Sequence, residues 1–274
     1  MWSILFSWLS LTPLENYHFT SSSKGSQRLS SHFEPPLGYE RIPLAKGSFG
    51  QWLRDIPLSE GTQVLSHRGE AIAAPAAAVV PLDVGQGDLQ QCADSILRLY
   101  AEYRWSVDQG DNLGFHFSSG DLSSWRKWRN GERFSIRGST VKRIRRSAVS
   151  NTHAQYRKWL QHTFIYAGTR SLNRDSTRLP VDKPIVPGDF FVSPGSPGHA
   201  IIVLDVAKAP GQPDVALLGQ GFMPAQSFHV IEDDGSHMRG RWFVLPSGQS
   251  GALKNPSWSK LPRSGVFRFP KTKP

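Results

Sequence analysis

Apolar positions recur along this chain in two rhythms, helical in the first half and strand-like in the second. Over 88–103, Leu89, Cys92, Ile96, Leu99, Tyr100 and Tyr103 return at helical spacing and mark one apolar face. Asp88, with Gln91 three residues on, has capping-box spacing. The pattern predicts a helix carrying Cys92 in about its first turn. A second helix is predicted over 151–168, with Tyr156, Trp159, Leu160, Phe164 and Tyr166 mostly on one side and Gly168 as its stop. A turn at Gly47 leads into a short helix that Pro57 ends.

From Gly188 onward the pattern turns to strands, at 189–192, 200–206 and 215–218, with edge strands at 228–231 and 242–245. Pro- and Gly-rich turns punctuate them. Shorter strands are expected at 64–65, 78–80 and 115–117. Helices followed by a strand meander predict an α+β fold with N-terminal helices packed on an antiparallel sheet.

The 274 residues, with fifteen Phe and nine Trp, suffice for one domain, placed at 35–270. Residues 1–34 read as a leader or apolar segment plus a Ser-rich linker. The apolar run from Trp2 to Leu11 suits an export signal and is too short to span a membrane. It favours the cell envelope or periplasm over the cytoplasm. No Lys or Arg precedes it, so it reads as a degraded or mis-started signal.

Charge changes this picture locally. The net charge is +10, and Arg126, Lys127, Arg129, Arg133, Arg137, Lys142, Arg143, Arg145 and Arg146 face a single acid, Glu132, in the same stretch. A basic insertion at about 122–150 is therefore expected. Its field would attract an anionic polymer or surface, or merely keep a solvated loop soluble. No nucleic-acid-binding signature accompanies it, and nucleic acid is disfavoured as a partner.

One cysteine excludes an intramolecular disulfide and a cysteine-based zinc site. It leaves a candidate nucleophile, because a helix N-terminus favours the thiolate and a nearby imidazole activates it. Among nine histidines, His199 is the best partner. It follows Gly198 and opens the apolar run Ala200-Ile201-Ile202-Val203-Leu204, so it stands at the mouth of a buried strand. Gln220 is the expected orienter, since Asp205 lies too far down the strand. Gln91 or Gln90 would line an oxyanion site. His116 and His153 lack partners at metal-ligand spacing, His229 and His237 read as surface or turn residues, and Asp94 reads as structural. Neither a metal nor a cofactor is implied.

The Cys92 helix, Gly188-Asp189-Phe190-Phe191-Val192 and Gly198-His199-Ala200-Ile201-Ile202-Val203 resemble NlpC-type and CHAP-type cell-wall peptidases and amidases. That resemblance implies a papain-like domain and peptide or peptidoglycan-derived substrates. Further segments are similar to a bacterial family of domains of unknown function, number 4846. They are Pro36-Leu37-Gly38-Tyr39-Glu40-Arg41, Gly47-Ser48-Phe49, Trp52-Leu53-Arg54, Leu89-Gln90-Gln91-Cys92-Ala93-Asp94, Tyr166-Ala167-Gly168-Thr169, Pro197-Gly198-His199-Ala200 and Met223-Pro224-Ala225-Gln226. Two functions are thus expected as alternatives. One is a cysteine peptidase or amidase using Cys92 and His199; the other is a non-catalytic binding or scaffold protein of the same fold.

Overall fold

The computed structural model describes residues 11–19, 27–138, 140–233 and 241–270. The apolar run before Leu11, most of the Ser-rich stretch and His237 lie outside them. Strand-forming residues in the second half build one antiparallel sheet of nine strands. Its main path runs Ala76–Val79, His229–Ile231, Val215–Gln220, His199–Lys208, Phe190–Ser193, Val266–Arg268 and Thr177–Arg178. The ten-residue strand His199–Lys208 is the spine, paired with Phe190–Ser193 on one side and Val215–Gln220 on the other.

Alternation along that spine separates two cores. Ala200, Ile202 and Leu204 join Ile96, Leu97, Trp52 and Trp159 on the helix face. Ile201 and Val203 join Leu253 and Leu261 on the other face. There the hairpin of Ala252–Asn255 and Trp258–Pro262 covers the sheet. The architecture is therefore α+β, with helices on one face of an antiparallel sheet and a small hairpin on the other. The Lys-, Asn- and Pro-containing sequence of that hairpin had given no strand pattern.

The helix Cys92–Ser106 is buried along nearly its whole length, polar residues included. Arg98, fully buried, donates to Glu102 at 2.6 Å, to Asp83 at 2.9 Å and to Gln90 at 3.2 Å. These bonds compensate the charge that burial would otherwise leave isolated. Glu102 consequently has its carboxyl held at about 2: the Arg98 and His153 charges outweigh its desolvation.

Two boundaries differ from the sequence reading. Tyr17, Leu29 and Phe33 are buried in the helix-face core, and Tyr17 stacks on Trp52 at 4.8 Å, so packing extends upstream of Pro35. The second predicted helix ends at Phe164, and a separate short helix, Thr169–Arg174, follows Gly168. The basic stretch forms a helix, Trp125–Arg129, and then a two-stranded ribbon of Glu132–Arg137 and Thr140–Arg145 apart from the main sheet. Among the described residues, no helix is long and apolar enough to cross a membrane.

Candidate active site

Cys92 is the first residue of its helix. The cap lies three residues later than the pattern predicted, at Gln91, whose N–H donates to the Asp94 carboxylate at 3.3 Å. Asp88 is unavailable as a cap because its carboxylate accepts the Ala225 N–H at 2.6 Å and the Gln91 side-chain amide at 3.0 Å. This shift puts the sulfur at the helix start, where the N–H groups of Cys92 and Ala93 favour its thiolate.

The same helix start meets the end of the sheet. Gly221, just past the strand Val215–Gln220, lies so close that a Cβ there would stand 2.3 Å from Ser95 Oγ and 3.0 Å from the Gln91 carbonyl oxygen. Where that strand stops, the Ala200 N–H is left to hydrogen-bond the Cys92 sulfur. Cys92 thus approaches from the helix side and contacts the residue covalently next to His199.

His199 is the first residue of the spine strand, and its ring stands on the hairpin face. The indole of Trp258 stacks on it at 5.1 Å, and Phe222 meets it edge-on at 5.0 Å. Nε2 of His199 lies 3.0 Å from Gln220 Oε1. Gln220 pairs in register with His229 across the adjacent strands, which brings its Nε2 to 3.2 Å from His229 Nε2. The same amide nitrogen lies 2.6 Å from Ser257 Oγ. Nδ1 of His229 faces the Ser227 carbonyl oxygen at 3.0 Å.

These contacts have one consistent polarity. A carbonyl can only accept, so His229 Nδ1 carries a proton and its neutral ring presents a bare Nε2. The two N–H groups of Gln220 donate to that nitrogen and to Ser257, so the amide oxygen must face His199. His199 Nε2 is then the protonated nitrogen, leaving Nδ1 with a lone pair. His229, expected at the surface, is fully buried in this chain. It and Ser257 were missed because only cross-strand register and a distant hairpin turn bring them to Gln220.

Electrostatics keeps the pair neutral. Burial pushes the Cys92 thiol up to about 11, against the lowering by the Ala200 N–H. Burial also pulls His199 down to about 4, with the Gln220 bond opposing and His229 assisting. Among the described residues, no hydrogen bond joins the sulfur to the imidazole. Asp94 has its carboxyl raised to about 8 by complete burial, and its Oδ1 has no partner.

The remaining predicted positions face elsewhere. Gln90 spends its side chain on Arg98 and on the Asp83 carbonyl oxygen at 3.1 Å, and Gln91 spends its own on Asp88. Each amide keeps one further N–H, but neither is bonded at the sulfur, where the backbone N–H groups of Ala200, Ala93 and Cys92 are the donors. Asp205 is held by Arg41 and Arg54, each at 2.7 Å. A cleft of about 340 Å³ opens beside Gln220, walled by Ile72, Ala74, Phe222, Met223 and Ser257 and lined by no charged side chain.

Residues 29–264 match the family described as domain of unknown function (4846). No curated protein and no solved structure matches the chain.

Proposed function

The chain belongs to that family, domain of unknown function (4846), and we propose that it is a papain-like thiol hydrolase of amide bonds. In this reading the helix-side sulfur and the hairpin-side ring meet around the end of the strand as substrate binds. Cys92 attacks the amide carbonyl, while His199 Nδ1 takes the thiol proton and returns it to the leaving amine. Water then cleaves the thioester to regenerate the thiol. Gln220 is a positioning residue that holds the imidazole. The one-way hydrogen-bond chain through Gln220, His229 and Ser257 carries the reading, because it leaves Nδ1 as the basic nitrogen. Because thiol and imidazole are both neutral, activation proceeds by general-base transfer as substrate binds rather than from a preformed ion pair.

Cell-envelope peptide is the proposed substrate class, supported by the resemblance to cell-wall peptidases and by the uncharged cleft beside Gln220. The test is amine release from short neutral peptides and from peptidoglycan-derived peptides, by the native chain and by Cys92→Ala. Loss of turnover in a variant that keeps its melting temperature supports the reading; undiminished turnover overturns it.

A second reading is a binding or scaffold protein that retains the fold without catalysis. The burial of both side chains and the Trp258 cover over His199 favour it. Iodoacetamide alkylation separates the two. A thiol that stays inert near neutral pH even with saturating peptide present supports the binding role; peptide-stimulated alkylation supports the hydrolase.

A further inference from the structure

The ribbon of Glu132–Arg137 and Thr140–Arg145 takes no part in the candidate site. Its base is fixed to the body of the protein. Phe134 packs against Phe117 at 5.1 Å and stacks on His162 at 5.5 Å. The Arg133 guanidinium lies 3.9 Å above the Trp128 ring and donates to the Trp128 carbonyl oxygen at 2.7 Å. Beyond these anchors the two strands continue to a turn at Gly138, whose φ of +57° suits glycine.

Register sorts the outer part of the ribbon. Ile136 pairs with Val141 directly across the strands, forming an aliphatic pair one step from the turn. Both are only partly buried. Arg143 and Arg145 share their face, while Arg137 and Lys142 point to the opposite one. All four cations are exposed, as is Arg146. The one acid of the segment, Glu132, sits at the base, with Arg143 at 3.6 Å.

We infer that this ribbon docks on an anionic lipid surface, with the Ile136–Val141 tip seated at headgroup level and the flanking cations on lipid phosphates. A polyphosphate backbone alone would use the cations and leave the aliphatic tip without a role. A bilayer interface uses both, because apolar side chains enter the acyl boundary while Lys and Arg remain with the anionic headgroups. The anchored base presents the tip as a fixed projection, which reduces the ordering cost of docking.

Co-sedimentation of the full chain with phosphatidylcholine vesicles, with and without admixed phosphatidylglycerol, tests this. Binding is expected only with phosphatidylglycerol present, and it weakens with salt. Charge reversal by Arg137→Glu, Lys142→Glu and Arg145→Glu lowers it by more than about a hundredfold, roughly fivefold for each of three cations lost with the three added carboxylates lowering it further. Ile136→Ser with Val141→Ser also weakens it, at unchanged charge. A control triple outside the ribbon and its anchoring helix, Lys46→Glu, Lys254→Glu and Lys260→Glu, makes the same charge change and retains binding. Equal losses in the two triples overturn the proposal, as does the absence of binding. Tip variants that bind vesicles normally, or a short DNA duplex that is held as tightly as the vesicles, overturn it in favour of a general polyanion site.

Discussion

His199 Nε2 and Gln220 Oε1 lie 3.0 Å apart at the end of two adjacent strands, and the direction of that bond decides which imidazole nitrogen keeps its lone pair. Gln220 is pinned by its two other bonds, so its oxygen faces His199 in a fixed orientation. Gln220→Ala is expected to lower turnover about a hundredfold, chiefly in kcat, because the imidazole loses both its orientation and its tautomer bias. It also leaves buried donors and acceptors unpaired, at a cost of about 1–3 kcal/mol. Steady-state kinetics beside urea unfolding separates the two effects.

The two buried histidine rings are expected to contribute a stability that falls on mild acidification. Asp94 opposes them, because its raised carboxyl takes up a proton in the folded chain first. His199 is held down to about 4 and His229 is also lowered, both chiefly by burial, so the unfolded chain binds their protons first. The stabilising contribution of the neutral rings is complete above about pH 6.5 and is lost as pH falls through the folded-state values. For His199 this amounts to roughly 3 kcal/mol. Urea midpoints between neutral and acid pH measure the net slope, and His199→Phe should remove the share of it that the ring contributes, leaving that of Asp94. An unchanged slope in that variant removes His199 as its source.

The close approach at Gly221 makes a mechanical prediction. A methyl group there would meet Ser95 Oγ at 2.3 Å and the Gln91 carbonyl oxygen at 3.0 Å, so Gly221→Ala must push the helix start away from the sheet end. A loss of about 1–3 kcal/mol is expected, together with altered Cys92 alkylation kinetics. Ser95→Ala removes only the hydroxyl and should recover part of the loss. A double-mutant cycle that gives purely additive losses would sink this account.

Much of this arrangement was legible in the chain. The apolar run after His199 could only be a buried strand, and the periodicity around Cys92 could only be a helix. What the periodicity could not give was the cap, because the competing claim on Asp88 comes from the Ala225 amide, 137 residues away. His229 escaped for a similar reason. Beside Phe228 it looked like an edge residue, and only strand pairing with Gln220 on one side and with Val79 on the other buries it. Ser257 and Trp258 belong to a hairpin turn in which both backbone N–H groups donate to the Asn255 side-chain oxygen, at 3.0 and 2.9 Å. The residues around Asn255 carry no alternating apolar pattern from which that hairpin could be predicted.

The bond chain that begins at the Ser227 carbonyl makes the His199 ring a device with one port. With Nε2–H committed to Gln220, a proton enters or leaves the ring only through Nδ1, on the opposite side of the imidazole. Whatever the ring removes from a neighbour it must hand back through the same atom. In a hydrolase that round trip links the start of acylation to the departure of the amine, and the partner strands keep the traffic from leaking toward the interior.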